Sequence, residues 1–314
     1  MRAIKTLPFK GFRLAVKPFM GTGIGRFRLI GSIYSYLASA LTIPEDKRLL
    51  SVNGYEMFLH AGKYKGIDGI AQHLLFTGTY EPYTTFLFKQ LVKEGMTVVD
   101  IGANIGYFTL LAASLVGAKG RVFAFEPEPT NYALLIKNIE INGYKNVVPL
   151  QKAVSNETGK TEFFVDTITS GEHSLFKTAV EREIKSSSEP IIVDVVSLDA
   201  FFKDKECPIN VIKMDIQGAE MMALWGMIKT IGNNKDLKIF TEFWPYGLQQ
   251  SGVSPHEYYK KLRHLGFEFT YIINDHKQKL ETVDFEAITR YCQSTRLKQL
   301  DHMNLLCSRS PLQL

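Results

Sequence analysis

The chain alternates two kinds of pattern. Short apolar runs end in glycine or an acid, and longer segments carry apolar residues every three or four positions. The first pattern reads as buried parallel strand and the second as amphipathic helix. Val98-Val99-Asp100-Ile101 runs into Gly102-Ala103-Asn104-Ile105-Gly106, after which Tyr107, Phe108, Leu111 and Leu115 keep helical spacing. Arg121-Val122-Phe123-Ala124-Phe125-Glu126 is the next run. Pro129 then suits a helix first turn, and Tyr132, Leu135, Ile136 and Ile139 form a stripe that stops at Asn142-Gly143. Residues 146–154 read as a third strand, in which Pro149 argues against a fully central place. Further strands are expected at 210–215, 237–243, 267–273 and 302–308, with helices starting at Gly218 and spanning 255–265. Such alternation implies an α/β fold with a doubly wound, largely parallel sheet.

Two regions depart from this rhythm. Residues 49–60 read as a hairpin turning at Asn53-Gly54, the strongest short hairpin signal. A helix over 81–93 leads into the first sheet strand. Between Lys160 and Phe202, strand patterns at 160–165 and 190–196 are separated by loops at 169–174 and 186–190. This stretch reads as an insertion decorating the sheet edge, where substrate contacts gather.

The turn after Ile101 carries the chemistry. A pyrophosphate site needs G-x-G-x-x-G, so that backbone amides and a helix N-terminus meet the phosphates. Here the glycines are spaced G-x-x-x-G (Gly102, Gly106), with Asp100 two residues before the first. A carboxylate there repels phosphate and attracts an ammonium or sulfonium. Glu126, 20 positions beyond Gly106, stands where an acid can hold both ribose hydroxyls. A ribose, no phosphate and a positive tail describe S-adenosylmethionine.

Methyl transfer to an alcohol needs alignment of the oxygen and a group to accept its proton. Asp215, Glu220, Glu242 and His173 are the candidates, with Asp215 at a strand end facing the same crevice as Asp100. Each has a structural alternative: a turn cap for Asp215, a helix-dipole partner for Glu220, a hydrogen-bond partner for Glu242, a solvated loop residue for His173. Tyr107 and Phe108 are either cation–π partners of a sulfonium or core residues. Trp244 either floors an acceptor pocket or packs inside.

Composition narrows the class. With 45% apolar residues in 314, the chain can bury a substantial core. Cys207, Cys292 and Cys307 are odd in number and scattered, which fits a reducing compartment and neither a disulfide framework nor a metal site. The seven histidines form no metal-ligand pattern. Residues 1–44 hold seven lysines and arginines and no acid, so the net charge of +5 belongs to this arm and the remainder is slightly acidic. The arm is either solvated or touches an anionic membrane surface or nucleic acid. Ile30, Ile33, Leu37 and Leu41 give it an amphipathic helical side, and its basic stretch is too long for the n-region of a signal peptide. No run is apolar enough to span a bilayer.

Several segments resemble the FkbM-type family of S-adenosylmethionine-dependent methyltransferases. They are Gly78-Thr79-Tyr80-Glu81-Pro82, the turn from Val99 to Gly106, Phe125-Glu126-Pro127, Asn138 with Asn142, and Ile212-Lys213-Met214-Asp215-Ile216-Gln217-Gly218-Ala219-Glu220. The last is the most particular to the family, and the likeness covers roughly residues 48–275. The resemblance implies a Rossmann-like, seven-stranded class I methyltransferase sheet with an N-terminal hairpin and helical extension. It also implies O-methylation of sugars or natural products. The cofactor-binding set it suggests is Glu81, Asp100, Gly102, Ala103, Asn104, Gly106, Tyr107, Phe108, Glu126, Pro127, Ala153, Val154 and Asp215, with no metal. The expected division is an arm, hairpin and lead-in helix over 1–94 and a methyltransferase domain over 95–314. A small-molecule or glycan acceptor is expected, without nucleic acid, in the cytoplasm, with peripheral contact to the inner membrane face through residues 1–44. The alternatives are an RNA or DNA methyltransferase and a non-catalytic, membrane-docked cofactor binder. Oligomeric state is not legible.

Overall fold

The computed structural model describes residues 49–60, 70–71, 73–74, 78–166, 171, 173–177, 188–205, 207–275, 277–294 and 302–313. The basic arm lies outside the described residues, and with it the expected amphipathic helix. No helix among the described residues is long and apolar enough to cross a membrane.

β1 (Leu49–Val52) and β2 (Tyr55–Phe58) form the hairpin, with Asn53 and Gly54 both at positive φ as a tight primed turn requires. Asn138 and Asn142 fasten it. The Phe58 amide donates to Asn138 Oδ1 at 2.7 Å and the Glu56 amide to Asn142 Oδ1 at 2.8 Å. Their side-chain NH2 groups return bonds to the Phe58 and Glu56 carbonyls. Two asparagines thus satisfy the hairpin edge as a third strand would. Val52, Tyr55 and Met57 enter the same apolar core as Leu110 and Leu135, so residues on both sides of position 94 share it.

Helix α1 (Pro82–Leu91) follows. Its first amides are capped from a distance: Tyr83 N and Thr84 N donate to Asp275 Oδ1 at 2.6 and 3.2 Å. Then come β3 (Thr97–Ile101), α2 (Tyr107–Val116), β4 (Arg121–Phe125), α3 (Pro129–Ile141) and β5 (Val147–Leu150). After the insertion the alternation resumes with β9 (Val211–Met214), α5 (Glu220–Trp225), α6 (Ile228–Asn233) and β10 (Lys238–Phe243). The chain continues through α7 (Pro245–Gln250), α8 (Pro255–His264), β11 (Phe269–Asn274), β12 (Lys279–Thr282), α9 (Phe285–Ser294) and β13 (Met303–Ser308).

The main sheet has the order β12-β11-β13-β10-β9-β3-β4-β5. From β5 to β10 every pairing is parallel, and β13 is antiparallel to both neighbours. This is an α/β methyltransferase-like fold with a mostly parallel central sheet. The expected seven strands become eight, because β12 turns back on β11 as an antiparallel edge hairpin. Pro149 sits in β5, the opposite edge, where its missing N–H leaves no sheet partner unsatisfied.

The sheet is apolar on both faces. Val98, Val122, Val211 and Phe240 point to the side covered by α1, α2 and α3. Val99, Phe123, Ile212 and Ile239 point to the other. This period of two decides the fate of the polar residues between them.

The single strand expected over 146–154 is broken. The chain leaves β5 at Leu150 and joins a second sheet as β6 (Ala153–Val154), ordered β6-β8-β7 with β7 (Gly159–Asp166) and β8 (Ser188–Val196). The insertion is therefore a small sheet of its own. The short helix α4 (Leu198–Phe201), capped by the Ser197 side chain, leads back toward β9.

Candidate active site

Strand order reverses between β4 and β9 on either side of β3, and open α/β sheets bind ligands beyond the carboxyl ends at such a point. A cleft lies there. It is lined by Gly102 and Asn104 after β3, Glu126 and Pro127 after β4, and Asp215 and Gln217 after β9. The second sheet and its loop add Lys152, Ala153, Val154, Phe163, His173 and Leu175.

The backbone laces these tips together. Gly102 N and Ala103 N both donate to the Phe125 carbonyl, at 2.9 and 3.0 Å, and Asp215 N donates to the Ile101 carbonyl at 3.0 Å. Gly102 has φ 82°, and a Cβ there would overlap the Asp215 carbonyl oxygen. Only glycine allows β3 and β9 to approach this closely.

Glu126 is 4% exposed, and both of its oxygens are held. Asn104 N donates to Oε2 at 2.8 Å and Glu128 N to Oε1 at 2.9 Å. Each carboxylate oxygen keeps a further lone pair, which is what two neighbouring hydroxyls of a ribose require. Burial pushes this carboxyl up to about 8, against the lowering pull of the Glu128 and Asn104 amides.

Asp215 stands at the β9 tip. Lys213 Nζ lies 3.3 Å from its Oδ2, and Gln217 Nε2 donates to its Oδ1 at 2.9 Å. Gln217 Nε2 also reaches Glu242 Oε2 at 3.1 Å, while its carbonyl accepts from Ser174 Oγ at 2.8 Å. Gln217 therefore ties β9, β10 and the insertion into one unit. It does so in a left-handed conformation, φ 54°, a strain that clusters at functional sites.

His173 is 7% exposed and is no solvated loop residue. Its Nδ1 accepts the Asp166 amide at 2.9 Å, so the neutral ring carries its proton on Nε2 and acts as a donor.

Of the residues singled out in the sequence, Gly102, Asn104, Glu126, Pro127, Ala153, Val154, His173 and Asp215 come together at the cleft. The others stand outside the residues that line the cleft. Asp100 points to the α1–α2 side of β3, where it is 3% exposed and accepts from Thr109 Oγ1 at 2.6 Å. Burial pushes it up to about 6, against the Thr109 hydrogen bond and Lys213. Tyr107 is buried with its hydroxyl among Asn53, Thr79 and Thr85, and Phe108 meets the Lys213 ammonium, 4.9 Å from its ring centre. Both belong to the core. Gly106 caps α2 at φ 99°, where a Cβ would collide with Leu135, and Ala103 is buried in the turn. Glu81 precedes α1 and lies 4.0 Å from Lys213.

The two remaining acids also stand behind the cleft. Glu220 is fully buried, and its Oε1 accepts the Ile216 and Gly218 amides, both at 3.2 Å, so it shapes the turn after Asp215. Glu242 is buried beside Gln217. Trp244 is 2% exposed and packs over Gly247, which makes it a core residue. The sequence reading missed Gln217, Lys152, Phe163 and Leu175 as lining residues. Gln217 alone carried a signal, in an acid-x-amide-glycine turn directly after a strand.

Glu126, Asp100 and Glu220, the last pushed up to about 7 by burial ahead of its backbone hydrogen bonds, bind their protons more tightly folded than unfolded. Such groups stabilise the fold fully at low pH and lose that contribution as pH rises through the folded values. The expected result is a denaturation midpoint that falls between about pH 4.5 and about pH 8. Urea titrations across that range check it, and a midpoint rising with pH contradicts it.

The residues suit a nucleoside with a cationic tail: an anchored acid for the ribose, a second strand-tip acid beside Lys213, and a surplus of acids behind them. Fold and site together define a methyltransferase-like α/β protein. A sequence model of the methyltransferase FkbM domain matches residues 100–269. The chain belongs to this family of S-adenosylmethionine-dependent methyltransferases. It is 28% identical over 147 residues to the hexuronic acid methyltransferase AglP of Haloferax volcanii, covering 46% of this chain and 55% of that protein. It is 26% identical over 146 residues to Methyltransferase 1 of Beauveria bassiana, covering 41% and 57%. The chain thus spans just over half the length of these relatives. Fibrillarin of Aeropyrum pernix, solved with natively bound S-adenosyl-L-methionine, superposes with a TM-score of 0.39 at 13% identity, over 72% of this chain and 74% of that one.

Proposed function

We propose that the protein transfers a methyl group from S-adenosylmethionine to a hydroxyl oxygen of a sugar, with a glycan or secondary metabolite as the acceptor class. The observation that carries this is the convergence of Glu126 and Asp215 on one cleft at the strand-order reversal. When bound, the cofactor supplies an electrophilic methyl carbon on sulfur. Glu126 accepts from the ribose hydroxyls through its two remaining lone-pair positions. Asp215, oriented by Lys213 and Gln217, orients the acceptor hydroxyl and takes its proton as the oxygen–carbon bond forms. His173 Nε2–H donates to an oxygen of the acceptor. Phe163 and Leu175 exclude water from the cleft. The name of the archaeal relative favours a hexuronic acid or a glycan containing one.

Glu126→Ala is expected to weaken S-adenosylmethionine binding roughly 100-fold, since two hydrogen bonds are lost at about 1.5 kcal/mol each. Titration calorimetry reads this, and wild-type affinity in the variant refutes the site. Radiolabelled methyl transfer to uronic-acid oligosaccharides, neutral sugars and RNA tests the acceptor. Label in RNA and in neither sugar class overturns the proposal.

A further inference from the structure

Sheet parity gathers charge behind the cleft. Asp100 and Lys213 are direct neighbours across β3 and β9, and Glu242 lies on the same face one strand further on. Glu81 joins from the start of α1, Asp215 from the β9 tip and Glu220 from the turn leading into α5. Glu81, Asp100, Asp215 and Glu242 therefore face the Lys213 ammonium and Glu220 faces Glu242, a surplus of four negative charges among these six groups if all are ionised. Two of their oxygens, Glu81 Oε2 and Glu220 Oε2, are buried without a hydrogen-bond partner among the described residues, and Glu220 is 0% exposed. Buried charge in this excess is relieved either by protons or by a cation.

On the reading above, the cleft alternates between a cationic ligand and a neutral one, because the methyl donor is a sulfonium and its spent form a thioether. We infer that Glu242 gives up a proton when the sulfonium enters and regains one when methyl transfer leaves the thioether. The inference rests on the proposed function.

The exchange balances. The hydroxyl oxygen takes the methyl carbon, the carbon–sulfur electron pair stays on sulfur, and the hydroxyl proton goes to Asp215 and from there equilibrates onto Glu242. One positive charge leaves the sulfur and one proton enters the cluster, so the charge of the site is constant through the step.

Geometry selects Glu242 among the five. Glu220 accepts from two backbone amides and Asp100 from the Thr109 hydroxyl, contacts that fix each to its own turn or helix. Glu81 lies 4.0 Å from the Lys213 ammonium and is not among the residues that line the cleft. Glu242 is joined through the Gln217 amide to Asp215, which lines the cleft. The groups facing it are Asp215, Glu220 and Lys213 across β9, Glu81 before α1, and the Tyr258 phenol on α8. Burial, then Asp215 and Glu220, raise its carboxyl well above the ordinary range, while Lys213 opposes them.

The test counts protons. Wild-type protein is titrated at neutral pH with S-adenosylmethionine and with S-adenosylhomocysteine in buffers of contrasting ionisation enthalpy. The expected result is about one more proton released for the sulfonium than for the thioether, and loss of that difference in Glu242→Gln with both ligands still bound. The ligands' own amino groups contribute equally to both proteins, so the comparison isolates Glu242. Infrared difference spectra of the wild type give a second readout that needs no variant: a carboxylic-acid carbonyl band should vanish with the sulfonium and persist with the thioether. Equal proton counts in the wild type, or an unchanged difference in Glu242→Gln, overturn the inference and leave the methyltransferase reading standing. Failure of both ligands to bind overturns that reading and the inference with it.

Discussion

Gly102→Ala is expected to lower the unfolding free energy by about 3 kcal/mol or more and to abolish measurable S-adenosylmethionine binding. Two effects add. The position has φ 82°, where an L side chain meets its own backbone. The new methyl would also overlap the carbonyl oxygen of Asp215, so β3 and β9 must separate. Relief through side-chain rotation is not available, because the obstacle is backbone on a strand whose other amides are committed to the sheet. Parting the two tips also moves Asp215 away from Glu126 and opens the cleft at its centre. Gly159→Ala is the control, since nothing lies within 4 Å of its Cβ position. Urea unfolding and calorimetry on both variants check the prediction, and a Gly102→Ala protein that binds cofactor normally refutes the account of the turn.

Much of this architecture was legible in the pattern of side chains. Asn53-Gly54 marked its hairpin, Pro149 marked an edge, and the run from Val98 to Gly106 gave strand, turn and helix in order. These signals are local, so they survive without knowledge of what packs on them. What was not legible depends on pairing. Asp100, Lys213 and Glu242 form one group only because three strands align in a particular register, and register joins residues more than a hundred positions apart. The same parity puts Asp100 on the α1–α2 face of β3, beside Lys213 and Thr109. The insertion read as edge decoration, yet as a separate sheet it supplies Phe163, His173 and Leu175 to the site. β12 was missed because a four-residue edge strand of mixed polarity has no periodic signature.

Lys213→Met should destabilise the protein by about 3–5 kcal/mol at neutral pH, the usual effect of removing one partner from a buried ionic group. Lys213 is 2% exposed, and methionine fills similar volume over the Phe108 ring, so packing loss contributes little. The cost is electrostatic, and its pH dependence identifies it. In the wild type the ammonium opposes the burial that raises Glu81, Asp100 and Glu242. Without it their folded values rise further, and the variant holds more protons than the wild type. Stability then falls more steeply as pH rises, because each carboxyl must either keep its proton or ionise with no counter-charge. Near pH 5, below the folded values of about 6 for Asp100 and about 7 for Glu220, these two acids are largely neutral and the gap between the two proteins should be smaller. By pH 8 it should reach its full size. A gap of equal size at both pH values would mean that Lys213 acts through packing alone. A gap that widens with pH, and that shrinks when Asp215→Asn is added to Lys213→Met, assigns the loss to carboxylates left facing one another behind the cleft.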